Sequence, residues 1–229
     1  MDTNNILFAK RMYIIKHYIL FSCLIYKKPN LKEIKGMLNK LLIALLYLPG
    51  CIKTKLTIKS NLPKVLISAW TLDVGGIETA LVNLVNTMSS KYDVTLALEK
   101  KQGAFLDRVN SKVKMIEYRP SENKNTIIRK IQNLQKRVKF TLKHKNKYDL
   151  SIAFATYSRP GSFMARTASK NSVLWVHTNY MVLYNNNKTQ VIEFFENVKY
   201  NKFKKIVFVS EERKDSFIKA FPNMKEKTI

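Results

Sequence analysis

The residues Asp73-Val74-Gly75-Gly76-Ile77-Glu78 are the part of this chain whose types and spacing most readily suggest chemistry. They join an apolar run, Val65 to Trp70, to a segment whose apolar residues recur at helical spacing from Ile77 onward. Paired glycines let a backbone come close to a ligand, and a helix N-terminus offers N–H groups without intrahelical partners to an anion such as a phosphate. The spacing is neither G-x-G-x-x-G nor G-x-x-x-x-G-K-[ST], so a dinucleotide or Walker-type nucleotide site is not supported. A plainer account covers the same residues: the glycines make a tight turn, and Glu78 complements the positive end of a helix. Asp73, beside the turn, is a further polar candidate.

A second candidate is His177, in Trp175-Val176-His177-Thr178 at the end of another apolar run. An imidazole there can orient or polarise a substrate, and it can equally be a structural histidine. Thr178 would share the same edge. Ser210, followed by Glu211 and Glu212, reads first as a helix N-cap with acidic residues in the first turn, and any ligand contact would be additional. Arg159-Pro160-Gly161 reads as a phosphate-facing loop or simply as a turn. The other histidines, His17 and His144, sit in basic segments, and no spacing in the chain suits a metal or a Ser/His/Asp triad. Cys23 and Cys51 form neither a CxxC nor a disulfide framework, which predicts a reduced, cytoplasmic setting and no metal site.

The elements that would hold these residues alternate from residue 64 onward. Val65 to Trp70, Asp93 to Glu99, Lys112 to Tyr118, Asp149 to Ala155, Ser172 to His177 and Lys205 to Ser210 read as strands. Between them, helices are predicted over Ile77 to Ser90, Thr126 to Lys143, Gly161 to Ser169 and Gln190 to Asn201, with a last one ending at Phe221. A tyrosine- and asparagine-rich loop is predicted over Thr178 to Lys188. In the Thr126–Lys143 helix, Ile127, Ile131, Leu134, Val138 and Leu142 make the apolar stripe among many basic residues. Strands that are apolar throughout are buried on both faces, which means a mainly parallel, doubly wound α/β sheet. Ligands of such sheets bind at the carboxyl ends of the strands. That rule selects residues 71–78, 156–161, 177–180 and 210–212.

Residues 1–62 read as a basic, partly apolar helical extension to a Rossmann-like domain at 63–229. Residues 1–60 carry eleven Lys and Arg against Asp2 and Glu33, and the longest uncharged run near the start, Tyr18 to Tyr26, is far short of the ~20 residues of a spanning helix. Lysine-studded apolar stretches describe a segment lying on an anionic membrane, or helices packed on the domain. The whole chain has a formal net charge of +25, a field that attracts nucleic acid, anionic lipid or phosphorylated substrates. Its basic residues are scattered, without a helix-turn-helix, RNP or zinc-finger pattern, so nucleic-acid binding is the weaker reading.

The ordered set KVLISAWTLDVGGIETALVNLV, DVTLAL, DLSIAFA, VLWVHT and KIVFVSEERKDSFIKAFP resembles the N-terminal domain of family-4 glycosyltransferases of the GT-B fold. These are enzymes of the kind that build bacterial capsular polysaccharide and lipopolysaccharide. The resemblance implies transfer, with retention, of a sugar from a nucleotide-diphosphate donor to a glycan or lipid-linked acceptor, needing no metal or cofactor. Gly75 and Gly76 would then face the donor phosphates, and His177 would sit near the transferred sugar. The family's donor-binding domain, with its E-x7-E glutamate pair, would follow about where this sequence ends at Ile229. The resemblance thus predicts a truncated or split enzyme, weak alone, completed by a separate C-terminal-domain chain, or else a non-catalytic subunit or gene remnant. Attachment to the inner face of the plasma membrane would follow from lipid-linked acceptors and the basic surface.

Overall fold

The structure, a computed structural model, describes residues 62–229. The extension predicted over residues 1–62 lies, but for Leu62, outside the described residues.

Six strands form one sheet: β1 (Lys64–Ala69), β2 (Asp93–Leu98), β3 (Lys114–Glu117), β4 (Leu150–Ala153), β5 (Ser172–Val176) and β6 (Lys205–Phe208). Every pairing is parallel, and the spatial order is β3-β2-β1-β4-β5-β6. Val65 lies opposite Val94 on one side and Leu150 on the other, which sets β1 at the centre. Helices α1 (Gly76–Met88), α2 (Thr126–His144), α3 (Arg159–Ala168), α4 (Tyr180–Leu183), α5 (Lys188–Val198) and α6 (Glu211–Ala220) fill the crossovers.

The alternation of β1 shows how both faces are used. Val65, Ile67 and Ala69 pack with Leu81, Val82 and Val85 of α1, while Leu66 packs with Phe140 of α2 and Met164 of α3. A strand sandwiched this way is apolar or small at its buried positions, which is why the period-two pattern of a half-exposed strand is missing. The serines that interrupt the apolar runs are fully satisfied. Ser68 Oγ donates to the Gly161 carbonyl at 2.8 Å and Ser151 Oγ to the Ala165 carbonyl at 2.7 Å, so both tie α3 to the sheet.

Four details differ from the sequence-based expectation. Residues 178–188 are not all loop: Asn179 caps the short helix α4, and left-handed Asn185 and Asn186 turn the chain into α5, a conformation asparagine tolerates better than most residues. Arg159, Pro160 and Gly161 form the first turn of α3 rather than a loop, because Ser158 accepts the Gly161 N–H and proline suits the first helical position. On α2 the buried residues are Phe140 and His144, on the side away from the predicted apolar stripe, of which Leu134, Val138 and Leu142 are half-buried while Ile127 is 70% exposed and Ile131 52%. After α6, a 3-10 turn over Pro222–Lys227 brings Thr228 and Ile229 alongside β6, where Ile229 N–H donates to the Ile206 carbonyl and Phe208 N–H to the Ile229 carbonyl, both at 2.9 Å.

The half of the domain built on β5 and β6 has an aromatic core centred on Phe195 of α5. Its ring lies 4.9 Å from Phe217, 5.2 Å from Phe194 and 5.2 Å from Tyr180, mostly edge to face, and the residue is only 2% exposed. Phe195→Ala leaves a cavity walled by other rings that cannot close in. The expected loss is about 3–5 kcal/mol of unfolding free energy, read from urea denaturation followed by circular dichroism.

Candidate active site

Strand order reverses between β1 and β4, so the loops leaving those two strands border the crevice where ligands of doubly wound sheets bind. The β1 loop, residues 70–75, is held by the segment after β2. Leu72 N–H donates to the Gln102 carbonyl and Phe105 N–H to the Leu72 carbonyl, each at 2.9 Å. Gly103 makes this clasp. Its φ is +121°, and a Cβ there would fall on the backbone of Leu72 and Asp73. Nothing in the run Lys100-Lys101-Gln102-Gly103 marks it in the sequence.

The paired glycines have different reasons to be glycine. Gly75 is the extended N-cap of α1, and a Cβ on it would collide with the Glu78 carboxylate, which folds back over the turn. Around Gly76 there is open space. No side chain caps α1, so its first N–H groups remain without a partner from a capping residue. Asp73 is exposed at the rim, its carboxylate accepting from Thr71 Oγ1 at 2.7 Å.

Across the crevice lies the β4 loop, within the selected range 156–161, and it gathers two residues outside the selected ranges, Trp70 and Glu99. Tyr157 lies beside Glu78, and burial, then the negative charges of Glu78, Glu99 and Asp73, push its phenol up to about 12. Ser158, the cap of α3, donates from Oγ to Glu99 at 2.7 Å, anchoring that carboxylate at the carboxyl end of β2. Trp70, the first residue after β1, stands edge to face with Tyr157 at 5.9 Å. Trp70 and Glu99 each close an apolar run; their place just beyond the strands is the signal that could have flagged them.

A second group gathers at the end of β5. His177 packs on Phe154 at 4.4 Å and lies parallel to Trp175 at 6.0 Å. Burial lowers its pKa, the nearby Arg213 lowers it further, and a backbone hydrogen bond with Phe154 opposes both. The imidazole is therefore neutral at pH 7. Its Nε2 is buried with no hydrogen-bond partner, an unmet capacity shared by Nε of Arg213 and Nε1 of Trp175. Ser210 caps α6 and also accepts from Arg213 Nη1 at 3.2 Å, with Glu211 and Glu212 in the first turn, so its capping role is complete without a ligand. Thr178, half-buried, lines a shallow crevice with Asn179, Arg213 and Ser216. Asn179 Nδ2 reaches Glu212 at 3.3 Å.

The structure thus draws Asp73, Gly75, Gly76 and Glu78 together around Tyr157, and His177, Thr178 and Ser210 together around Arg213. The β4 loop joins the groups: Phe154 touches His177, Thr156 Oγ1 donates to the Trp175 carbonyl at 2.6 Å, and Tyr157 meets Glu78. Arg159 is an exposed first-turn residue of α3. Among the described residues no group of His, Cys, Asp and Glu is placed to hold a metal.

Fold and edge together define a Rossmann-like, doubly wound α/β domain with its polar residues at the switch point. Compared with known proteins, the chain matches no protein-family model and no curated protein. Two solved structures of Anabaena HepE match its fold. One, in complex with UDP and glucose, has a TM-score of 0.51 at 16% identity, covering 73% of this chain and 43% of that one. The other, in complex with UDP-glucose, has a TM-score of 0.50 at 18% identity, covering 72% and 42%. The chain therefore spans less than half the length of the HepE chains it matches.

Because Gly103 holds the β1 loop, Gly103→Ala is expected to cost about 1–3 kcal/mol and to change the emission of Trp70 in that loop. Gly76→Ala, in open space at a helix start, is expected to leave stability unchanged or slightly raised. Denaturation curves and fluorescence spectra of the two variants check the contrast.

Proposed function

We propose that this domain forms the acceptor-side wall of a glycosyltransferase active site, transferring a sugar from a nucleotide-diphosphate donor. The observation that carries the reading is the meeting of the paired-glycine turn and the His177 group around one β4 loop, at the switch point of a fold shared with HepE, whose structures hold UDP-glucose. In this reading the open N-terminus of α1 beside Gly76 faces the donor diphosphate. There, fixed N–H groups stabilise charge that develops on the leaving group. His177, neutral and with Nε2 unmet, faces the transferred sugar and orients a hydroxyl. The nucleotide itself is held by a second domain across the cleft, on the same polypeptide or on a partner chain, and the acceptor is a cell-surface glycan or a lipid-linked sugar.

A peripheral seat on the inner face of the plasma membrane belongs to the same proposal. Its support is α2, which carries no Asp or Glu and exposes Ile127, Ile128 and Ile131 beside Arg129 and Lys130. Exposed isoleucines enter the interface, and each basic residue near an anionic surface adds about 1 kcal/mol. Among the described residues no helix is long and apolar enough to cross a membrane.

Two measurements test these readings. UDP release from UDP-glucose in the presence of a membrane lipid extract should fall about 10²–10⁴-fold in His177→Asn, with donor affinity little changed. An unaltered rate in that variant would remove His177 from the chemistry. In vesicle sedimentation, the chain should prefer phosphatidylglycerol-containing vesicles over phosphatidylcholine alone, and Ile127→Asn with Ile131→Asn should weaken binding about tenfold. Equal binding to both vesicle types would count against the membrane seat.

A further inference from the structure

We propose that Trp70 and Tyr157 form a stacking corner for an uncharged sugar ring of the acceptor, with the carboxylates of Asp73, Glu78 and Glu99 taking its hydroxyls. The proposal rests on the glycosyltransferase reading above and names the acceptor chemistry of that same crevice.

The first observation is exposure in the wrong place for a core residue. β1 is buried from Val65 to Ala69, yet the next side chain, Trp70, is 43% exposed, and Tyr157 across the switch point is 40% exposed. The two rings are held at 5.9 Å and 89°, so they make a floor and a wall rather than a flat patch. The apolar C–H face of a pyranose packs on such a surface and leaves the ring's hydroxyls pointing outward.

What meets those hydroxyls is the second observation. Glu78 and Glu99 are half-buried and Asp73 is exposed, all beside the Tyr157 hydroxyl. Ionised carboxylates only accept hydrogen bonds, and sugar hydroxyls supply the donors. Glu99 is fixed by Ser158 Oγ at 2.7 Å and Asp73 by Thr71 Oγ1 at 2.7 Å, so their spare lone pairs are held in place. The Tyr157 phenol, kept protonated by burial and by these neighbours, donates to Glu78 and leaves its oxygen to accept from a sugar hydroxyl.

Charge then decides the class of sugar. The whole chain is strongly cationic, at +25, but the charges acting on Tyr157 are all negative. Lys100, next to Glu99, is paired with Glu122 at 2.9 Å. A uronate, sialate or phosphate placed on this corner would sit against three carboxylates. The sugar bound here is therefore neutral, and any diphosphate on the acceptor must lie away from the corner.

The chain has two tryptophans, Trp70 and Trp175, so Trp175→Phe leaves Trp70 as the single reporter. In that background, neutral hexose and N-acetylhexosamine oligosaccharides are titrated against uronate-containing and phosphorylated ones of equal length. Expected is a Trp70 emission change with neutral glycans, at least about tenfold weaker binding of the anionic set, and about tenfold loss for neutral glycans in Tyr157→Ala. Binding of the same neutral glycans to Trp70→Ala, followed by calorimetry, should fall similarly and recover in Trp70→Phe, with circular dichroism verifying the fold of each. Glu99→Gln should narrow the gap between the two sets. No response to any neutral glycan, a preference for the anionic set, or binding indifferent to Trp70→Ala would each overturn the proposal. The His177→Asn rate separates it from the reading beneath it: neutral glycans bound while UDP release is unaltered in that variant sinks the transferase and keeps the corner, and a lost rate with no glycan bound sinks the corner alone.

Discussion

The placement of β1 between β2 and β4 constrains nearly everything else in this domain. With partners on both sides and helices on both faces, β1 carries no ionised side chain after Lys64 at its start; its one buried polar group, Ser68, survives by donating to the Gly161 carbonyl. Polarity is displaced to the strand ends. Because all the pairings are parallel, every strand ends at the same edge, and because order reverses between β1 and β4, the loops there diverge and leave a crevice. Asp73, Glu78, Glu99, Tyr157 and His177 meet at that edge because the sheet interior admits none of them.

Precision at the edge comes from bonds that do two jobs. Ser158 accepts the Gly161 N–H as the cap of α3 and donates to Glu99, so the start of a helix and the setting of a carboxylate share one hydroxyl. Thr156 holds the carbonyl of Trp175, whose ring in turn lies parallel to His177. The Gly103 clasp sets the β1 loop in the same manner, by a backbone conformation that other residues rarely adopt. Such shared supports fix the loops to the strands that bear them, which is what a site needs if its donors and acceptors are to be in place before a ligand arrives.

Much of this architecture was legible in the chain because burial on both faces leaves an unmistakable pattern: KVLISA, DVTLAL and SVLWV are apolar or small almost throughout, and α1 repeats its apolar residues at helical spacing. The capping roles of Ser210 and its two glutamates were legible for the same local reason. What stayed hidden depended on contacts distant in sequence. The asparagines near 185 look like loop and instead turn one helix into the next, and Arg159 looks like loop but follows a serine that caps. Trp70 reads as the last residue of a strand, although the strand ends one residue sooner and leaves its ring open beside Tyr157. Ile127 and Ile131 have the spacing of a buried stripe, but periodicity records which residues share a face, not what that face meets.

The distribution of charge follows from the same geometry. Glu78 folds over Gly75 and occupies the ground nearest the turn, so an anion approaching α1 must do so on the side of Gly76, where the space is open. The helix end and its own carboxylate thereby divide one small region into a part that accepts negative charge and a part that repels it. On α2, by contrast, nineteen residues carry no carboxylate at all, and the positive field there is uninterrupted. A chain with a net charge of +25 that nevertheless surrounds Tyr157 with carboxylates cannot be treated as a uniformly basic surface. Over distances beyond about 8–10 Å the lysines dominate only weakly through salt, whereas at the crevice three nearby carboxylates set the local potential. Selection by charge at this edge therefore runs opposite to the attraction exerted by the chain as a whole, and a ligand must satisfy the nearer of the two.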